Sequence, residues 1–124
     1  MKTDEIQAVI TAALEDLKVQ DLTVLDVREK TTIADVMLVG SGTSNRHLQA
    51  LVDRVDDAMS ARGMEPLGRE GSPGSDWVLI DYGDVIVHVM LPETRAFYDL
   101  EQLWSGASPQ QAEAGEAVRQ DASD

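Results

Sequence analysis

The chain has 124 residues, 43% of them hydrophobic, enough for one domain of ordinary size and too few for two well-buried ones. It has no cysteine, which excludes disulfides, thiolate zinc sites and a cysteine nucleophile. A net charge of -13, from 23 acidic and 10 basic side chains, argues against nucleic acid as a direct ligand, because a phosphate backbone needs clustered lysine and arginine.

That acidity suits encounter with a basic partner, or serves solubility alone. No stretch is long and apolar enough to span a membrane, and the first five residues lack the apolar run of a signal peptide, so a cytoplasmic protein is expected.

From Asp4 to Leu17, Ile6, Val9, Ile10, Ala13, Leu14 and Leu17 fall at helical spacing. Thr3 is placed to cap this helix, and Asp4 and Glu5 suit the positive end of its dipole. The β-rich runs 22–27 and 33–39, joined by the polar residues 28–32, predict an antiparallel pair. Arg28, Glu29 and Lys30 are solvated turn residues in this reading.

Residues Gly40 to His47 leave a strand and enter a helix, where phosphate-cradling loops occur because free backbone N–H groups converge. The lysine of a P-loop and the third glycine of a dinucleotide fingerprint are missing. Ser44 as an N-cap and glycines in a tight turn explain the segment without a ligand. The helix from Asn45 to Arg62 buries Leu48, Leu51, Val52, Val55 and Met59 and ends at Gly63 in the C′ position. Its outer side carries Asp53, Asp56 and Asp57, which predict a solvated face.

Met64 to Glu70 is a weak strand whose Pro66 suggests an edge. After the loop 71–75 come two apolar runs, from Trp77 and from Val85, separated by Tyr82-Gly83-Asp84. This is a hairpin signal, since glycine reaches the positive φ of a tight turn. With an even-length loop, one face collects Val78, Ile80, Tyr82, Val85, Val87 and Val89, the natural core side. The other collects Trp77, Leu79, Asp81, Ile86, His88 and Met90. That mixture suits a surface that meets a partner, or one covered by a helix with Asp81 and His88 satisfied locally; a three-residue loop would invert the partition.

Pro92 opens the last helix, predicted to run on to Trp104. Phe97, Leu100 and Trp104 on one side of it read as core; Arg95, Tyr98 and Glu101 or Gln102 on another read as a polar and aromatic surface. Residues 1–104 are expected to form the domain and 105–124 a disordered acidic tail. No catalytic residues, metal ligands or cofactor emerge: His47 and His88 have no partners at metal spacing, and there is no nucleophile elbow.

The run Asp76 to Met90, then Arg95 to Trp104, with Gly42 to His47, Leu25-Asp26-Val27 and Ile33-Ala34-Asp35 upstream, resembles the ribosomal silencing factor family, RsfS or Iojap, over roughly residues 6–104. The resemblance implies an α/β (α+β) fold, a mixed sheet of about five strands flanked by helices, nucleotidyltransferase-like. It also implies a protein that binds the large ribosomal subunit through ribosomal protein uL14, blocks joining of the small subunit and lowers translation under nutrient limitation, without catalysis. The partner-binding residues it points to are Trp77, Leu79, Asp81, Tyr82, His88, Met90, Arg95 and Tyr98, with Asp81 and His88 orienting the contact and Arg95 either pairing with an acid or facing the partner. Trp77 and Tyr98 are the expected anchors, unless Trp77 packs beneath the last helix.

An enzyme is the main alternative, since nucleotidyltransferases place a Gly-Ser turn before a helix and an Asp-x-Asp pair on the next strand. Gly40-Ser41 fits the first feature; residues 65–70 lack the second. A homodimeric adaptor using the same face is a third reading.

Overall fold

The computed structural model describes residues 1–72 and 74–104, with the backbone alone for Leu103 and Trp104. The expectation of a disordered tail over 105–124 lies outside the described residues.

The elements are α1 (Thr3–Asp16), β1 (Gln20–Asp26), β2 (Val36–Ser41), α2 (Asn45–Ser60), β3 (Gly68–Glu70), β4 (Trp77–Asp81), β5 (Val85–Met90), α3 (Pro92–Tyr98) and α4 (Leu100–Trp104). The strands form one mixed sheet in the order β1-β2-β5-β4-β3. Only β2 and β5, in the second and central positions, run parallel; the other three pairings are antiparallel. The expected α+β class, the five strands and the antiparallel pairing of β1 with β2 are all present.

The hairpin holds the rest in register. Trp77 pairs with Met90 and Asp81 with Ile86, so the loop is even in length and the predicted partition stands. Gly83 sits at φ +88, the positive value the turn demands, and its N–H donates to Asp81 Oδ1 at 2.7 Å. Val78, Ile80, Tyr82, Val85, Val87 and Val89 face α1 and α2, whose apolar stripes complete the main core.

Both helices begin differently from one another. Ser44 caps α2 by accepting from the His47 N–H at 3.1 Å, as expected. Lys2, rather than Thr3, precedes α1, and Glu5 reaches back to accept from the Lys2 N–H at 2.8 Å. Thr3 turns its hydroxyl instead to Asp84 and Asp35, tying the helix start to the ends of the sheet.

The opposite face of the sheet carries a second, smaller core. Leu25, Met37, Val39, Ile86 and Met90 pack there with Trp77, Leu79 and Leu100. The short helices α3 and α4 cover it, with α4 lying against β1. Cover is therefore complete over β5 and partial over β4, where Trp77, Leu79 and Asp81 stay half-buried.

Candidate functional site

The last helical segment is broken, and the break shapes the site. Sequence periodicity predicts one helix from Pro92 to Trp104, whereas Asp99 adopts a left-handed conformation, φ 49 and ψ 54, between α3 and α4. Aspartate tolerates this conformation better than most side chains do. The reversal brings Glu101 back onto Arg95, whose Nε and Nη2 donate to the two carboxylate oxygens at 3.0 and 2.9 Å. In an unbroken helix the two residues would stand about 9 Å apart along the axis and on different sides.

Arg95 is 8% exposed, so its assignment to a polar surface is corrected. A buried guanidinium must have its donors satisfied, and they are: Nη1 donates to Ser41 Oγ at 3.1 Å and Nη2 to Thr23 Oγ1 at 2.9 Å, besides Glu101. The charge-assisted bonds from Arg95 hold the Glu101 carboxyl below the usual carboxylate range. One side chain thus joins α3, α4, β1 and the end of β2.

With Arg95 turned inward, the rest of α3 follows from helical geometry. Phe97 lies about 200° further round the axis and so points away from the sheet. It is 81% exposed, which corrects its assignment to the core, while Leu100 does pack inside. The side chain of Trp104 lies outside the described residues. Tyr98 occupies the flank and is 54% exposed. Its ring sits 4.9 Å from that of Trp77 at a 47° tilt, and Phe97 meets Tyr98 edge-on, also at 4.9 Å.

Beneath this aromatic group lies His88, almost wholly buried. The Trp77 indole N–H donates to His88 Nδ1 at 3.0 Å, which fixes Nδ1 as acceptor and puts the ring proton on Nε2. Burial lowers the imidazole pKa to about 4, so the ring is neutral at physiological pH. Trp77 packs against the last helical segment on one side and satisfies a core histidine on the other.

Of the eight residues singled out from the sequence, Trp77, Leu79, Asp81 and Tyr98 share the partly open face. His88, Arg95 and Met90 lie under it, Met90 with no exposed surface. In the free chain these three are buried, the strap of α3 and α4 closing over them together with Trp77, and Arg95 pairs with an acid, Glu101. Tyr82 belongs to the opposite core, with its hydroxyl 3.4 Å from Asp56; burial pushes its phenol pKa up.

Phe97 was not among the eight, and no local signal finds it, because its exposure follows from the long-range contacts that turn Arg95 inward. Asp56 also does more than line a solvated face. Arg69 Nη2 on β3 donates to both of its carboxylate oxygens, at 2.6 and 2.7 Å, pinning the edge strand to α2 and raising the Arg69 pKa.

The Gly40 to His47 turn is occupied by its own contacts. Thr43 N–H donates to His47 Nδ1 at 2.9 Å, and His47 Nε2 donates to the Leu17 carbonyl at 2.7 Å. A Cβ on Gly42 would lie 2.8 Å from the Leu48 nitrogen, so glycine is required by close packing. Ser41 serves Arg95. Among the described residues no three His, Asp or Glu side chains are gathered to hold a metal ion, and no helix is long and apolar enough to cross a membrane.

The chain matches the family model described as ribosomal silencing factor during starvation over residues 1–124. A ribosomal silencing factor of Chromobacterium violaceum is 42% identical over 88% of this chain and 89% of its own length. A crystal structure of a protein from the same organism superposes with a TM-score of 0.82 at 42% identity, covering 88% of this chain and 91% of that one. A mouse protein named mitochondrial assembly of ribosomal large subunit protein 1 is 34% identical over 77% of this chain and 43% of its own length. With its whole length matched by the family model and its fold matched by that crystal structure, the chain belongs to the ribosomal silencing factor family.

Proposed function

We propose that this protein binds the large ribosomal subunit through ribosomal protein uL14 and blocks joining of the small subunit by occupying the face where it docks. It acts in the cytoplasm, lowers translation when nutrients are scarce, and turns over no substrate. The observation that carries this reading is the exposed aromatic pair Phe97 and Tyr98, braced on Trp77 at the open half of the sheet, in a member of a silencing family. Rigid aromatics beside half-buried apolar side chains are what dominates binding energy at protein interfaces. Leu79 and Asp81 continue the same face along β4, and the edge residue Glu70, opposite Leu79, adds charge at its rim.

The acidic chain complements a basic ribosomal protein, favouring fast encounter and register. The mouse relative's name refers to assembly of the large subunit, in keeping with a large-subunit partner. A role without turnover is favoured because Ser41, at the Gly-Ser position an enzyme would use, spends its hydroxyl on Arg95. The next strand in the chain, β3, holds Gly68, Arg69 and Glu70 with no carboxylate pair. Self-association of the free protein as a homodimer would use the same aromatics and so compete with docking.

Co-sedimentation with purified large subunits, followed by addition of small subunits, tests the reading. Phe97→Ala and Tyr98→Ala should weaken retention by about thirtyfold, the equivalent of about 2 kcal/mol at an interface anchor, and restore joining. Wild-type protein that fails to bind at physiological salt, or that binds and leaves joining unaffected, would refute it.

A further inference from the structure

We propose that the Asp99 break and the Arg95–Glu101 pair form a latch that positions the docking aromatics, so that Arg95, Asp99 and Glu101 set affinity without touching the partner. The inference rests on the docking face proposed above and adds residues that govern it.

Three observations carry it. Arg95 is anchored to parts of the chain remote in sequence, Ser41 on β2 and Thr23 on β1, so its guanidinium fixes the rotation of α3 against the sheet. That rotation decides that Phe97 stands in solvent and that Tyr98 reaches Trp77. Glu101 reaches Arg95 only because the chain reverses at Asp99, where the backbone lies in the left-handed region. The Asp99 side chain has no hydrogen bond among the described residues, so its contribution to the latch is through the backbone. An ordered strap also reduces what docking must otherwise spend in immobilising two aromatic side chains.

The test uses the full chain and two readouts. There are two tyrosines, Tyr82 and Tyr98, so the Tyr98 ring signals are assignable in an aromatic NMR spectrum by comparison with Tyr98→Phe. The Trp77 ring beside Tyr98 displaces those signals from their random-coil positions. Asp99→Gly, which suits a left-handed backbone, should keep the displaced signals and bind large subunits within about twofold of wild type. Asp99→Val and Glu101→Gln should return the signals toward random coil and weaken binding by about tenfold or more, with far-UV circular dichroism and core methyl signals unchanged.

A clamp that only adds stability would lower the melting temperature and leave both the Tyr98 signals and the affinity intact well below it. That result in Asp99→Val and Glu101→Gln would overturn the proposal, as would loss of affinity in Asp99→Gly equal to that in Asp99→Val. Phe97→Ala and Tyr98→Ala separate the two readings. Wild-type binding by both would sink the docking face, and the Tyr98 signals in the free protein would then decide the latch alone.

Discussion

Burial of a neutral histidine makes folding stability depend on pH in a way that can be isolated. His88 is 4% exposed, its Nδ1 accepts the Trp77 indole N–H, and its pKa in the fold is lowered from 6.5 to about 4. The unfolded chain therefore binds the proton first. The stability contributed by the neutral ring is present above the unfolded value and is lost as pH falls from about 6.5 toward about 4. At about 1.4 kcal/mol per tenfold, the whole effect amounts to about 3 kcal/mol, of which about 2 kcal/mol has been lost by pH 5. His88→Asn removes the titration while leaving an acceptor where Nδ1 stood. Urea unfolding at pH 7 and pH 5 should show wild type losing about 2 kcal/mol more than the variant across that interval, although the variant is the less stable of the two at pH 7. Carboxylates common to both proteins cancel in the comparison. Parallel losses in the two proteins would refute the reasoning and mean that the imidazole is not desolvated in the fold.

Trp77→Phe keeps an aromatic ring over His88 but removes the indole donor, and the orphaned Nδ1 should cost about 1–3 kcal/mol in urea unfolding at neutral pH. Gly42→Ala forces a methyl group against the Leu48 backbone and should destabilise by about 1–3 kcal/mol, read as a fall in melting temperature of several degrees; an unchanged melting temperature would contradict the close approach. Phe97→Ala, truncating a side chain already 81% in water, should leave stability within about 0.5 kcal/mol of wild type, which separates any binding defect from a folding defect.

The fold was legible in the sequence where local chemistry and periodicity agree. The hairpin is the clearest case: two β-branched runs about Tyr82-Gly83-Asp84 predict antiparallel pairing, and parity alone sorts Val78, Ile80, Val85, Val87 and Val89 to the core side. The Ser44 cap and the apolar stripe of α2 follow in the same way from residue type and spacing. The parallel pairing of β2 with β5 was not legible, because it joins strands separated by α2, β3 and β4, and no local signal specifies which distant strand becomes a neighbour. The Arg69–Asp56 contact was missed for a like reason: each residue seen alone is an ordinary surface charge, and only the placement of β3 beside α2 pairs them.

At the candidate site the sequence grouped several side chains on one face and misjudged their depth. Trp77, Leu79, Asp81 and Tyr98 do share one side of the molecule, yet His88, Met90 and Arg95 lie beneath it, and Phe97, expected inside, stands outside. Two features that periodicity cannot register lie behind the placement of Arg95 and Phe97. A helical pattern in residues 92–104 assumes an unbroken axis, and Asp99 breaks it. Once Arg95 is committed to Ser41 and Thr23, contacts 54 and 72 residues away in sequence, the orientation of α3 is no longer set by burying its most apolar side. The buried guanidinium is fully paired by Glu101, Ser41 and Thr23, and the same helix orientation forgoes the burial of Phe97, worth about 3 kcal/mol at most. With Arg95 held inside, helical geometry puts Phe97, two positions on, in water, and the same orientation leaves Phe97 and Tyr98 together as an exposed aromatic surface.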